Sequence, residues 1–483
     1  MQQKLYLGYK LRRFREQQGM TQAALAEAIG LSSSYLNQLE NNQRPLTAAV
    51  LVKLSQAFEI DIASFADDDQ DRLVADLREA LADPAFHSDA ISLQELKAIV
   101  ATSPALAQHF LLLHRAQRKM QDRLQNMDDT LSANEQASGL EKPLFPYEEV
   151  RDYFHYRNNY IDELDLAAEQ FHNRLNLSGV GSIVSALFEY IKERHDVRTR
   201  IASLDSKGHG MRRFDPETKT LTLSETISEA SRLFLAAHQI ALLEFDDVIS
   251  GLIAESSLIS VSARSICRVG LANYFAGAVI MPYRPFLEAA RSTRHDIERL
   301  QHQFSASFEQ VCHRLSTLQR PSARGIPFYF VRVDKAGNIT KRHSATRFQF
   351  ARFGGACPLW NVHEAFAVPG QVLVQMAEMP DGVRYICVAR SIIKRSGSYS
   401  QPNRHYALGI GCEVSYAPQL VYAQGLDLKN RNTEVPIGVS CRICERENCQ
   451  QRAFPPIDRS LFVDHSYRDV VPYQFTEPAT KYT

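Results

Sequence analysis

Residues 21–47, TQAALAEAIGLSSSYLNQLENNQRPLT, constrain the fold more than any other stretch of this chain. Thr21 is placed to cap a short helix that Gly30 stops, and the serines after Leu31 open a second one. Two short helices joined by a tight Gly-Leu turn make helix-turn-helix geometry. The flanking segments LGYKLRRFREQQG, TAAVLVKLSQAFEI and IDIASF bring the count to five short helices, so residues 1–66 predict an all-α bundle. The second motif helix begins with Ser32, Ser33, Ser34 and Tyr35 and then offers Asn37, Gln38, Asn41 and Arg44. Small hydroxyl residues let a helix end approach a groove closely. Asn and Gln pair with base edges, Arg44 reaches phosphate or guanine, and Gln22 suits a phosphate. The whole chain balances 55 basic against 55 acidic residues, which excludes a uniformly basic binder. Residues 1–60 nevertheless carry seven Lys/Arg and four Glu, so the module is locally basic. One module covers half of a double-stranded operator, and a homodimer or homotetramer is therefore expected.

The motif resembles the XRE-type (Cro/C1-like) helix-turn-helix, notably in Gln22, Ala26, Leu36 and Glu40-Asn41. A helical adaptor that touches no DNA is the alternative. The 483 residues suggest about three domains. Residues 67–145 read as a helical linker and oligomerisation segment that ends in a pattern-free tract over 129–145. Residues 146–320 read as apolar helices with short strands at 197–201 and 218–223 around the turn-rich GHGMRRFDPET. Residues 321–483 read as β-rich, with a hairpin turn at Asp381-Gly382. The expected class is multidomain and mainly α: an all-α N-terminal bundle, a helical linker, an α+β middle and a β-rich α+β C-terminal domain. No stretch reaches the ~18 apolar residues of a membrane span, and the N-terminus lacks a signal-peptide core. A cytoplasmic protein with no membrane partner is expected.

In the middle, SRLFLAAHQIALLEF followed by LANYFAGAVIMP resembles the ImmA/IrrE-like zinc-peptidase fold. That family carries H-E-x-x-H on one helix, two His for zinc and a Glu for the attacking water. Here His238 holds the first position, Gln239 replaces the Glu and Leu242 replaces the second His. Arg268–Leu271 offer no acidic third ligand. One remaining ligand cannot hold zinc, so the domain reads as a degenerate zincin-like scaffold, and no catalytic residue is assigned. A retired cleft is a natural ligand pocket. Tyr156, Arg157, Asn158 and Tyr160, with Arg212 and Arg213, suit a ligand bearing phosphates and a planar base; ordinary surface charge is the alternative reading.

The C-terminal segment GVSCRICERENCQQRAFPP holds Cys441, Cys444 and Cys449 as C-x-x-C-x-x-x-x-C. Thiolates this close in a reduced chain point to zinc or an iron–sulfur cluster, and the spacing leaves both open. Cys412, in the strand GIGCEVSY, is the expected fourth ligand. Cys267, Cys312, Cys357 and Cys387 are expected to be buried structural thiols. Arg442, Arg446 and Arg452 surround the trio and are placed to lower thiol pKa values.

Taken with GIGCEVSYAPQLVYAQGLDL and FHYRNNYID, this arrangement resembles the short-chain fatty acyl transcriptional regulator family over nearly its full length. The resemblance implies a non-enzymatic regulator of propionate or acetate metabolism, through the methylcitrate or glyoxylate pathway. It implies an acyl-CoA effector, propionyl-CoA or acetyl-CoA, and a 4Fe-4S cluster on the matching cysteines. A redox-only iron–sulfur regulator is the alternative. An active zinc peptidase acting on a repressor is disfavoured by Gln239 and Leu242.

Overall fold

The computed structural model describes residues 8–58, 69–81, 91–117, 146–177, 182–203, 210–346 and 348–475, apart from positions 42, 115, 349, 351–355, 445, 457–460, 469 and 472. The chain divides into two compact units, Met1–Gln121 and Asp122–Thr483.

The first unit opens with α1 (Gly8–Gln17), α2 (Gln22–Ala28), α3 (Ser33–Glu40) and α4 (Ala48–Phe58). They bury Leu11, Leu25, Leu36, Leu39 and Leu54 in one small core. Thr21 Oγ1 accepts from the Ala24 amide (3.2 Å) and Ser32 Oγ from the Tyr35 amide (3.1 Å), so both motif helices are capped as the sequence predicts. Gly30 adopts φ +60 between them, a left-handed conformation that side chains rarely adopt. The expected fifth helix, IDIASF, lies outside the described residues. Next come α5 (Asp69–Leu81), α6 (Leu93–Thr102) and α7 (Pro104–His114). Leu73, Leu77, Leu96, Val100 and Leu111 form their own core. The expected linker at 129–145 also lies outside the described residues. No single described helix is long and apolar enough to cross a membrane.

The second unit starts with α8 (Pro146–His155), α9 (Asp162–Arg174) and α10 (Ile183–His195). A small sheet follows, β1 (Arg198–Ala202), β2 (Arg212–Asp215) and β3 (Thr220–Ser224), in the order β1-β3-β2. β2 lies inside the segment that sequence pattern assigns to a turn. Its side chains lack strict alternation, and pairing with β3 makes it a strand. Six helices come next: α11 (Glu229–Glu244), α12 (Asp246–Ala254), α13 (Val261–Ile280), α14 (Tyr283–Ser292), α15 (Ile297–Phe304) and α16 (Phe308–Ser316). A buried ion pair ties the layer: Arg314 on α16 donates through Nη1 and Nη2 to both Asp165 oxygens on α9, each at 2.9 Å. Tyr274 on α13 donates to the same carboxylate at 2.6 Å.

The C-terminal part is a six-stranded sheet in the order β5-β4-β8-β7-β6-β9. Its strands are β4 (Tyr329–Asp334), β5 (Ile339–Ser344), β6 (Leu373–Glu378), β7 (Arg384–Lys394), β8 (Arg404–Glu413) and β9 (Val435–Pro436), with the short helix α17 (Asn361–Glu364) inserted after β5. A separate hairpin, β10 (Leu461–Phe462) and β11 (Gln474–Phe475), closes the chain. Alternation along the strands sorts the sheet's two faces. Phe330, Val388, Leu408 and Ile410 point into the core shared with the helices. Tyr329, Val331, Cys387, Ala389 and Ala407 point to a second core that holds Trp360 and Cys357. Middle and C-terminal segments therefore share one continuous core.

Candidate functional site

The motif helices present the polar residues that sequence reading selected. On α3 and its exit, Ser32, Ser33, Ser34, Asn37, Asn41 and Arg44 are exposed, and Tyr35 and Gln38 are half-buried. Several are held before any partner arrives. Asn41 Nδ2 donates to Asn37 Oδ1 (2.8 Å), and Gln22 Nε2 donates to Asn37 Oδ1 (3.3 Å) and to Glu40 Oε2 (3.0 Å). The Arg44 guanidinium lies 5.6 Å over the Tyr35 ring. Glu40 is buried and faces inward, where Arg15 of α1 grips it through Nε (2.7 Å) and Nη2 (3.1 Å). That clamp fixes the angle between α1 and α3. Sequence reading noted Glu40 only as part of the motif and missed its partner, because the pairing crosses 25 residues.

The zincin-like centre is filled by a cation of the chain itself. His238 and Gln239 are buried on α11, and Arg212 from β2 donates through Nη1 to Gln239 Oε1 at 2.7 Å. Burial first, and then the Arg212 charge, push the His238 imidazole down to about 4, so the ring is neutral at pH 7. Its Nδ1 is buried without a hydrogen-bond partner. A guanidinium held by an amide stands where an active zincin needs a carboxylate and a water. This geometry cannot generate a metal-bound nucleophile.

The residues proposed for ligand binding are engaged by different neighbours. Tyr156 is exposed, Arg157 stacks 4.6 Å over Tyr153, and Asn158 forms a left-handed turn with φ 53. Tyr160 donates to Asp162 Oδ1 (2.6 Å), accepts from Arg320 Nε (2.8 Å) and lines a cavity of about 890 Å³ with Arg284 and Arg291. Arg212 is spent on Gln239, and Arg213 is exposed on β2. A larger cavity, about 1070 Å³, lies between α9, α10, α11, the end of α13, α14, α15 and β7. Ile183, Val184, Leu233, Ile280 and Phe304 line it together with His302, Glu298 and Arg390. No sequence motif marks it, because each wall comes from a different element.

The cysteine site also differs from expectation in one residue. Cys441, Cys444 and Cys449 line one small cavity, and the fourth thiol in its wall is Cys357. Cys412 is elsewhere. It faces the helical core from β8, in the same alternating set as Leu408 and Ile410, and the sheet separates it from the trio. Cys357 lies on the opposite side of the sheet beside Trp360, whose amide donates to its carbonyl at 3.1 Å. Burial is the main cause that raises the Cys357 thiol, with Cys441 and Cys444 adding to it. The arginines act on backbone: Arg452 donates through Nη1 to the Cys441 carbonyl (3.0 Å) and through Nη2 to that of Cys444 (3.3 Å). Arg446 donates to the Glu378 carbonyl (2.6 Å), which fastens the cysteine loop to β6, and Arg442 stacks on Phe454. Among the described residues no three ligand-type side chains stand close enough to chelate a single ion. The donor set itself is four thiols, which suits a soft metal group.

Comparison with known proteins matches each part. Residues 11–65 match a helix-turn-helix family, 192–316 the IrrE N-terminal-like domain, and 317–473 the short-chain fatty acyl coenzyme A regulator C-terminal domain. The propionyl-CoA carboxylase regulator of Cereibacter sphaeroides is 48% identical over 478 residues, 99% of this chain and 100% of that protein. The chain belongs to the short-chain fatty acyl coenzyme A regulator family. The Mycobacterium tuberculosis regulators RamB and PrpR are 44% and 43% identical over 472 residues. These alignments cover 97% of this chain and 98% of RamB, and 98% of this chain and 96% of PrpR. A solved Mycobacterium tuberculosis transcriptional regulator superposes with a TM-score of 0.65 at 45% identity, covering 68% of this chain and 99% of that one. This family member is thus a helix-turn-helix transcriptional regulator of short-chain acyl-CoA metabolism and not an enzyme.

Proposed function

We propose that this regulator binds operator DNA as a homodimer or homotetramer and changes its occupancy when an acyl-CoA, propionyl-CoA or acetyl-CoA, binds. The observation that carries the reading is the exposed polar face of α3, where Asn37 Oδ1 already accepts from both Asn41 Nδ2 and Gln22 Nε2. Asn37, Gln38 and Asn41 read base edges in the major groove; Gln22, Ser32, Ser33, Ser34, Tyr35 and Arg44 position the helix on the backbone. The second copy is recruited through the α5–α7 region, where Leu106, Leu112 and Leu113 are exposed on α7 beside the buried Leu111.

The cysteine site holds a 4Fe-4S cluster on Cys357, Cys441, Cys444 and Cys449. Four thiols lining one cavity suit either zinc or an iron–sulfur cluster, and the family resemblance supports the cluster. Bound there, a cluster supplies one-electron redox chemistry. The chain's own contribution is to fix the loop through Arg446 and Arg452 and to keep Cys357 out of water.

Selection of binding sites from random duplexes with the full chain tests the DNA reading. The expected product is a two-fold symmetric sequence with half-sites about one helical turn apart. Asn37→Ala should relax the preference at one position per half-site, by about 1–3 kcal/mol of discrimination. A wild-type chain that enriches no sequence would refute it.

A further inference from the structure

The helix-facing side of the large sheet changes character along its strands. Its interior level is apolar, with Phe330, Ile410 and Val388 in one row. One step outward the row becomes Lys341 on β5, Arg332 on β4, Leu408 on β8 and Arg390 on β7, all in register. Lys394 follows further along β7. Two carboxylates offset these four cations. Glu309 of α16 pairs with Arg332 (2.8 Å) and Lys394 (2.6 Å), and Glu298 pairs with Arg390 (2.9 Å). Lys341 has no carboxylate within ion-pair distance among the described residues, and its ammonium lies 5.9 Å from the Phe330 ring centre. Burial pulls that amine down to about 8 against the attraction of Glu309. Tyr406 adds an aromatic face under Arg332 and Lys394. Arg390 and Glu298 also line the cavity of about 1070 Å³ described above, so the basic row borders its wall.

Excess cation, an aromatic face and an adjoining part-apolar cavity are complementary to one kind of molecule. We propose that the row Lys341–Arg332–Arg390 with Lys394 binds the phosphates of a ligand whose uncharged arm enters this cavity. The proposal rests on the effector reading for the identity of that ligand, and it places the charge-recognising end on the sheet rather than on Arg157, Arg212 or Arg213.

The test is equilibrium titration of the full chain with three probes: coenzyme A, pantetheine (the same arm without phosphates) and inorganic pyrophosphate. Coenzyme A should bind at least about tenfold more tightly than pantetheine, since a charged hydrogen bond contributes about 1.5–3 kcal/mol and 1.4 kcal/mol is tenfold. Lys341→Gln breaks no direct ion pair but removes a charge that lowers the Glu309 carboxyl, so its melting temperature is measured beside binding and the charge-preserving Lys341→Arg serves as the control. Lys341→Gln should weaken coenzyme A about tenfold and leave pantetheine unchanged, and Lys341→Arg should restore binding. Glu309→Gln frees Arg332 and Lys394 and should tighten coenzyme A, a gain that loss of packing cannot produce. If coenzyme A binds all these variants and Lys394→Gln as it binds wild type, the effector reading stands and this site falls. If coenzyme A does not bind but pyrophosphate binds in a Lys341-dependent way, the phosphate site stands and the effector reading falls. If no probe binds, both fall.

Discussion

Glu309 illustrates how much one side chain draws from distant parts of the chain. Burial alone would raise its carboxyl, yet Lys341, Lys394 and Arg332 override that and hold it down to about 2. An unfolded glutamate titrates near about 4.3, so the folded carboxyl is the stronger acid. Its stabilisation is complete above that value and is lost as pH falls toward 2. Thermal melts should show Glu309→Gln less stable than wild type at pH 7, with the gap closing between about pH 4 and pH 2. A gap that stays constant with pH would separate the effect from ionisation. The cysteines make a second residue-scale case. Cys357→Ser should abolish bound iron and sulfide in anaerobically purified protein, whereas Cys412→Ser should retain both, because Cys412 packs on the other face of the sheet. Retention of iron by Cys357→Ser together with its loss from Cys412→Ser would reverse the assignment.

Elements follow the sequence where local chemistry decides them and depart from it where a neighbour does. The capped α2 and α3 and the hairpin at Asp381-Gly382 are legible, since Thr21, Ser32 and Gly382 act within a few residues. RPFLEAARSTRHDIERLQHQF has no proline or glycine between its apolar positions to mark a stop, but the structure breaks it into α14 and α15. Arg294 and His295 adopt φ 53 and 59 there, and Asp296 caps the second half. The break is held from outside: Arg294 Nη2 donates to the carbonyls of Pro418 and Leu420, and the Val421 amide donates to the Arg294 carbonyl. Strand β8 has its own constraint. A methyl at Gly411 would collide with the Ile386 carbonyl oxygen and the Tyr329 ring. Gly411→Ala should therefore destabilise the second unit by about 1–3 kcal/mol, read as a lower melting temperature. The first unit does not share this core, so its melting should be unchanged.

At the scale of the whole molecule, the cavity of about 1070 Å³ proposed to take the effector's arm and the helix-turn-helix lie in different compact units. Coupling between them is then a linkage free energy, and it must be reciprocal. The factor by which acyl-CoA changes operator affinity should equal the factor by which operator changes acyl-CoA affinity, as measured by two independent titrations of one preparation. Unequal factors would mean that another equilibrium, such as oligomerisation, intervenes. The sequence by itself determined the helix-turn-helix, the loss of zinc ligands at Gln239 and Leu242, and the three clustered cysteines. Each depends on spacing within one helix or loop, and the backbone period carries that information directly. Only the tertiary structure decided that Cys357 joins the trio while Cys412 does not. It alone set Arg212 against Gln239 and gathered Lys341, Arg332 and Arg390 into one row. Those outcomes depend on which face of a strand meets which neighbour. A shift of one residue in register reverses that choice, and no local pattern fixes it.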